Sequence, residues 1–185
     1  MYRLLFILSI AICFAFIVEK NKITNKRKVE KTTIQNKVTK NKNVEEYIQR
    51  FKKVAISEHE KFCIPASITL AQGILESASG KSILVKKTNN HFGIKCFGGC
   101  NNKNSYMMAD DDPDDRFIKY KSAWFSFRHH SKFLQQERYK PCFKCGDDYK
   151  CWAKQLKRCG YATSKTYAEK LIKIIETYQL YKYDK

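Results

Sequence analysis

Apolar residues after position 43 recur mostly at helical spacing, interrupted by one stretch of a different rhythm. Val44, Ile48, Phe51, Ala55 and Phe62 mark a first amphipathic helix. Ile68, Ala71 and Leu75 recur at i, i+3 and i+7 and predict a second helix beginning at Pro65, whose missing N–H is harmless in a first turn. Gly80 is placed to close it as the residue after the cap. Thr69, Gln72 and Glu76 fall on another face of that helix, turned towards a cleft.

Between residues 93 and 120 the pattern changes. Short apolar runs (Gly93–Phe97, Ser105–Met108, Phe117–Tyr120) alternate with Gly, Asn and Asp clusters, which predicts a small β-hairpin. Ser122–Gln136 returns to helical period with Ala123, Phe127, His130 and Leu134 on one side. A further helix is predicted over Asp148–Cys159, ending at Gly160. The last opens on a capping box, Thr166 with Glu169, and carries the stripe Ala168, Leu171, Ile172, Ile175 and Tyr178. Trp124 and Trp152 lie on helical stripes and read as core, as do Phe92 and Ile94. The fold class expected is α+β, mainly helical, with a small β-hairpin lobe. There is no internal repeat.

The N-terminus reads differently. Arg3 precedes an apolar run of 15 residues, Leu4–Val18. That is short for a membrane span of about 20 residues and typical of a signal-peptide core. No small-x-small cleavage site follows, so residues 1–18 are read as a signal peptide or an uncleaved membrane anchor. Residues 19–43 are rich in Lys, Asn and Thr and form a basic disordered linker, which can also attract an anionic membrane surface. Residues 44–185 form the folded domain. This organisation places it outside the cytoplasm: in the envelope or periplasm, anchored or secreted.

The formal net charge is +18, of which ten Lys and Arg against two Glu in residues 1–44 supply +8. Such a chain favours polyanions, a nucleic acid or a carboxylate-bearing wall. Zinc-finger spacing, a recognition helix and a basic–aromatic RNA motif are all missing, which argues against nucleic acid. Apart from Cys13, the cysteines are Cys63, Cys96, Cys100, Cys142, Cys145, Cys151 and Cys159. In an exported chain they predict at least two disulfides, and seven leaves at least one thiol over. Cys96, Cys100, Cys142 and Cys145 have the short spacings that suit zinc, and export argues against it.

Candidate chemistry centres on Glu76. An acid at the end of a helix meets the negative end of its dipole, and partial burial adds to that, so its pKa should rise. A carboxyl kept protonated near neutral pH is what glycoside hydrolysis uses on the leaving oxygen. Downstream lie Asn89-Asn-His-Phe-Gly-Ile-Lys-Cys96, Arg138-Tyr139, and Trp152-Ala-Lys-Gln-Leu-Lys-Arg-Cys-Gly-Tyr-Ala-Thr163. In this order, after Leu75-Glu-Ser77, the strings resemble glycoside hydrolase family 73, the endo-β-N-acetylglucosaminidases, over about Val44–Asp184. The resemblance implies a lysozyme-like fold and hydrolysis of the bond from N-acetylglucosamine to N-acetylmuramic acid in peptidoglycan. It puts the general acid on Glu76 and the active-site tyrosine on Tyr161, which from the residues alone reads as a core aromatic. The family's partner position for Cys96 is occupied by Arg116 here, and Cys100 is the local replacement.

Glycosidases usually place a second carboxylate across the cleft. The run Asp110-Asp-Asp-Pro-Asp-Asp115 offers Asp110 first, at the end of the predicted strand, with Asp111 and Asp112 behind it. A solvated turn is the competing reading. The 1-3-5 spacing of these acids imitates a calcium loop, but Asp115 stands where glycine is needed and Lys121 where glutamate is needed. No cofactor or metal is expected; His91, His129 and His130 lack ligand spacing. The partner expected is the glycan strand of peptidoglycan, met by a monomer. A muramidase, a lytic transglycosylase and a non-catalytic wall-binding module are the alternatives.

Overall fold

The computed structural model describes residues 40–110 and 112–185. The predicted signal or anchor segment and nearly all of the predicted linker lie outside the described residues. Residues 40–185 form one compact unit. Its elements are α1 (Lys42–Phe62), α2 (Ala66–Glu76), α3 (Ile83–Thr88), β1 (Ser105–Met107), β2 (Arg116–Ile118), α4 (Ala123–Phe133), α5 (Lys140–Phe143), α6 (Tyr149–Arg158) and α7 (Tyr167–Tyr178). Short 3₁₀ turns at Glu137–Tyr139 and Leu180–Tyr183 complete it. Among the described residues no helix is long and apolar enough to cross a membrane.

Helix α2 is the centre of the molecule. α1, α7 and the C-terminal 3₁₀ turn pack around it, and every residue from Ala66 to Ile74 is buried. Ile68 and Leu70 are fully enclosed, and each such side chain contributes roughly 1.5–3 kcal/mol of burial. The sequence reading gave this helix one polar face, with Thr69 and Gln72 looking out. Both are fully buried instead, because neighbours cover the helix on all sides and only its last turn reaches the surface. Packing is close enough to dictate residue size. A side chain at Gly73 would collide with the Tyr47 hydroxyl of α1.

The helix also stops four residues before the predicted Gly80. Ala78, Ser79 and Gly80 all have positive φ. The Ser77 hydroxyl bonds back to the Gly73 carbonyl and accepts the Gly80 N–H. The chain therefore turns sharply just after Glu76.

The hairpin is shorter than its sequence pattern. β1 and β2 pair antiparallel with Tyr106 opposite Phe117. The Gly93–Phe97 run contributes only an isolated bridge, Lys95 to Phe117. Asp110 consequently lies in the connecting turn, beyond the end of β1. The predicted capping box of the last helix does not form: Thr166 is the N-cap residue but makes no side-chain cap bond.

Trp152 is fully buried, whereas Trp124 is 44% exposed. Trp124 begins the first turn of α4 on its outer side, against Phe125, with the Arg128 guanidinium 4.8 Å from its ring centre. The stripe of Phe127 and Leu134 faces the core; Trp124, in the first turn of the helix, lies at the margin of what the core covers. Disulfides join Cys96 to Cys100 and Cys145 to Cys151, leaving Cys63, Cys142 and Cys159 as thiols. This pairing takes apart the zinc set considered from spacing, and among the described residues no cluster of His, Cys, Asp or Glu is arranged to hold a metal.

Candidate active site

The sharp turn after α2 leaves Glu76 partly buried at the wall of a cleft of ≈ 510 Å³. Asp110, Lys95, Met108, Phe92 and Tyr161 line the same cleft. Four separate stretches of sequence thus converge: the end of α2, the segment from Asn89 to Lys95, the hairpin and the loop after α6.

Each stretch is anchored by its own local chemistry. The Asn89–Ile94 segment is organised by Asn90, which is buried. Its side-chain oxygen accepts the Phe92 and Ile94 N–H groups, and its amide donates to the carbonyls of Ile94 and Ile118. One side chain thereby folds the segment and fastens it to β2. His91 is buried beside it and bonded to the Tyr47 hydroxyl at 3.0 Å. Burial, with the nearby Arg50 charge, lowers its pKa to about 4, so it is a neutral structural group.

The Tyr161 loop is held by cations. Arg138 donates to the Gly160 carbonyl at 2.8 Å, and Lys157 donates to the carbonyls of Ala162 and Thr163. Gly160 adopts φ +72°, letting the chain leave α6 while the Tyr161 N–H still bonds to Leu156. Tyr161 stacks on Tyr167, ring centres 5.7 Å apart. Burial pushes its hydroxyl pKa well up, so it stays a proton donor.

Glu76 accepts a hydrogen bond on Oε1 from the Tyr167 hydroxyl at 3.0 Å. Burial holds its carboxyl protonated above the ordinary range, and the negative charge of Asp110 pushes the same way. The Tyr167 bond and the Lys170 charge pull against that. Burial and Asp110 thus raise the pKa of this carboxyl while Tyr167 and Lys170 temper the rise, a balance that suits a general acid.

The acidic run divides by position. Asp110 is in the cleft, 55% exposed at the side chain and 3.5 Å from the Lys95 ammonium. Asp115 is more enclosed and closer to Lys95, at 2.8 Å. Asp112 caps the turn, its carboxylate accepting the Asp114 N–H. Asp111 lies outside the described residues. Tyr167, Gln72 and His130 back Glu76; the sequence placed Gln72 on the face of Glu76 and His130 on the core stripe of its helix, but linked neither His130 nor Tyr167 to the acid. Tyr167 is 91 residues from Glu76, and it looks like one more aromatic at a helix start.

Comparison with known proteins agrees with this geometry. The family model described as mannosyl-glycoprotein endo-beta-N-acetylglucosaminidase matches residues 52–180. The exo-glucosaminidase LytG of Bacillus subtilis is 35% identical over 141 residues, covering 68% of this chain and 48% of LytG. An N-acetylmuramoyl-L-alanine amidase domain-containing protein of Staphylococcus aureus is 34% identical over 160 residues, covering 80% of this chain and 26% of that protein. The chain therefore spans about half or less of the length of these curated relatives. Among solved structures, the catalytic domain of the autolysin Auto from Listeria monocytogenes superposes with a TM-score of 0.66 at 26% identity, over 85% of this chain and 97% of that one. The sequence strings, the helical core with its small hairpin and the family match coincide, and the chain belongs to glycoside hydrolase family 73, the glucosaminidases.

Proposed function

We propose that the chain is a peptidoglycan hydrolase that cleaves the β-1,4 bond from N-acetylglucosamine to N-acetylmuramic acid, with Glu76 as general acid. The observation that carries this is a single carboxyl: Glu76, partly buried, raised in pKa and hydrogen-bonded on one oxygen, at the wall of the cleft it shares with Asp110 and Tyr161. Glu76 gives its proton to the glycosidic oxygen as the bond to the anomeric carbon breaks. Positive charge then builds on that carbon and the ring oxygen. Asp110 is the carboxylate best placed to offset it, or to orient a substrate N-acetyl group that does so. The Lys95 ammonium, 3.5 Å from Asp110, holds that carboxylate in the cleft. Tyr161 supplies a fixed hydroxyl to the bound sugar.

The linker and apolar N-terminus support action in the cell envelope, with the linker close to an anionic membrane surface. The domain is read as a monomer.

Purified peptidoglycan digested by the protein is expected to yield fragments with reducing N-acetylglucosamine, identified by mass spectrometry. Reducing muramic acid would make the protein a muramidase, and an anhydro-muramyl end a transglycosylase. Fragment length separates internal cleavage from trimming at chain ends. Glu76→Gln should lose about 10²–10⁴-fold in rate, and Asp110→Asn less. Full activity in the folded Glu76→Gln protein would overturn the assignment of the acid.

A further inference from the structure

Behind Glu76 runs a chain of polar side chains drawn from three helices. Tyr167 of α7 donates to Glu76 Oε1 at 3.0 Å. Gln72 of α2 donates from Nε2 to the Tyr167 oxygen at 3.0 Å. His130 of α4 faces Gln72 Oε1 through Nε2 at 3.1 Å. All three are buried. His130 stacks on Phe92 with ring centres 3.9 Å apart and meets the edge of Tyr161. Its other ring nitrogen, Nδ1, is buried without a partner.

Only two directions of hydrogen bonding satisfy the chain, one with the Gln72 amide as it stands and one with that amide turned end for end. In the outward one, His130 Nε2–H donates to Gln72, Gln72 to Tyr167, and Tyr167 to Glu76 Oε1. The acidic proton of Glu76 must then be on Oε2. In the inward one every bond is reversed: Glu76 donates to Tyr167, Tyr167 to the Gln72 carbonyl, and the Gln72 amide to His130 Nε2. The acid's proton is then turned away from the substrate.

The orphan at Nδ1 distinguishes them. Burial, with a smaller contribution from His129, holds the His130 pKa at about 3, so the ring is neutral and carries one N–H. The inward arrangement puts that N–H on Nδ1, as a buried donor with nothing to accept it. The outward arrangement leaves only a lone pair there, and an orphaned donor is the rarer and worse defect.

We propose that His130 and Gln72 are positioning residues: they fix the direction of the chain through Tyr167, so that Glu76 presents its proton on Oε2 to the substrate. This rests on Glu76 being the acid. The same arrangement keeps the Tyr167 hydroxyl on Oε1 when the proton leaves, as a charge-assisted bond to the new carboxylate.

The test is the full-length protein with ¹³C-labelled glutamate carboxyls, followed by rate–pH profiles and by titration of the Glu76 resonance. The charged and titratable groups facing Glu76 are Tyr167 and Lys170 from α7, Asp110 from the hairpin and Tyr161 from the loop after α6. His130→Phe leaves all of these in place and keeps a ring to stack on Phe92. It frees the Gln72 amide to turn and draw Tyr167 away from Glu76. Expected are a loss in kcat on the order of 10–100-fold from misplacement, unchanged KM, and an alkaline limb moved to higher pH. The Glu76 titration should move with it. Tyr167→Phe should do the same, and the double variant should add nothing to it, because both break one chain.

A folded His130→Phe protein with unaltered kcat and limb would overturn the proposal. So would losses that add in the double variant, or a fall in kcat with the Glu76 titration unmoved. Gln72→Met supplies the same readouts if His130→Phe does not fold. Activity retained by Glu76→Gln would instead refute the choice of acid, while the Glu76 resonance of the parent and His130→Phe proteins would still report the chain.

Discussion

At the scale of single residues, Glu76 is held in a state that serves the reaction at some expense to the fold. Below the unfolded value of 4.5 it is protonated in both states and contributes nothing. As pH rises from there through its raised native pKa, the unfolded chain ionises freely. The folded one must then ionise a carboxyl that burial has stripped of water. Stability contributed at this site therefore falls with rising pH. Glu76→Gln, which cannot ionise, should be more stable than the parent at pH 7, the difference vanishing below pH 4.5. Urea midpoints at both pH values read this directly; a less stable variant at pH 7 would contradict it.

At the scale of elements, one buried ion pair joins α1 to α4. Glu58 is fully buried, and Arg128 meets it through Nε at 2.9 and 3.0 Å and through its terminal nitrogen at 2.8 Å. Breaking such a pair strands a charge and costs about 3–5 kcal/mol, while replacing both partners with apolar groups is near neutral. Arg128→Leu alone should be strongly destabilised, and Glu58→Leu with Arg128→Leu should recover most of the loss in a double-mutant cycle. The thiols give a second reading at this scale. Cys63 is exposed, and Cys142 is buried with its pKa pushed up to about 12, first by burial and then by the neighbouring Cys159. A thiol reagent on the native protein should label Cys63 first and Cys142 last, and spare Cys96, Cys100, Cys145 and Cys151 until a reductant is added. Peptide mapping by mass settles the order.

For the whole molecule, the relevant boundary lies near residue 40. Asn41 caps α1 by accepting the Asn43 N–H, and its own N–H bonds to the Tyr178 hydroxyl of α7. A fragment of residues 40–185 should fold alone and cooperatively. Removing residues 40–43 as well takes away a cap worth about 0.5–2 kcal/mol and the tie to α7. The shorter fragment should melt several degrees lower by calorimetry. Equal melting temperatures would show that the fold starts later.

Periodicity alone was enough to locate the five longer helices, because each buries a stripe and the stripe needs one spacing. Turn residues marked the hairpin, and short spacing picked out Cys96–Cys100. Glu76 and Tyr161 were singled out because their surrounding strings resemble a family, and the fold brings both to one cleft. Tertiary structure decided which surfaces are covered. Gln72 and Thr69 looked like an open face, but α2 is enclosed on every side; Trp124 looked like core but sits in the first turn of α4, at the margin of what the core covers. It also decided where α2 ends, since residues 78–80 pack against α1 in conformations that no stripe encodes. Most of all it assembled Glu76, Tyr167, Gln72 and His130. The linear pattern joins only Gln72 and Glu76, on one face of α2; Tyr167 and His130 reach them only when α4 and α7 pack on that helix, because a hydrogen bond depends on distance and direction in space.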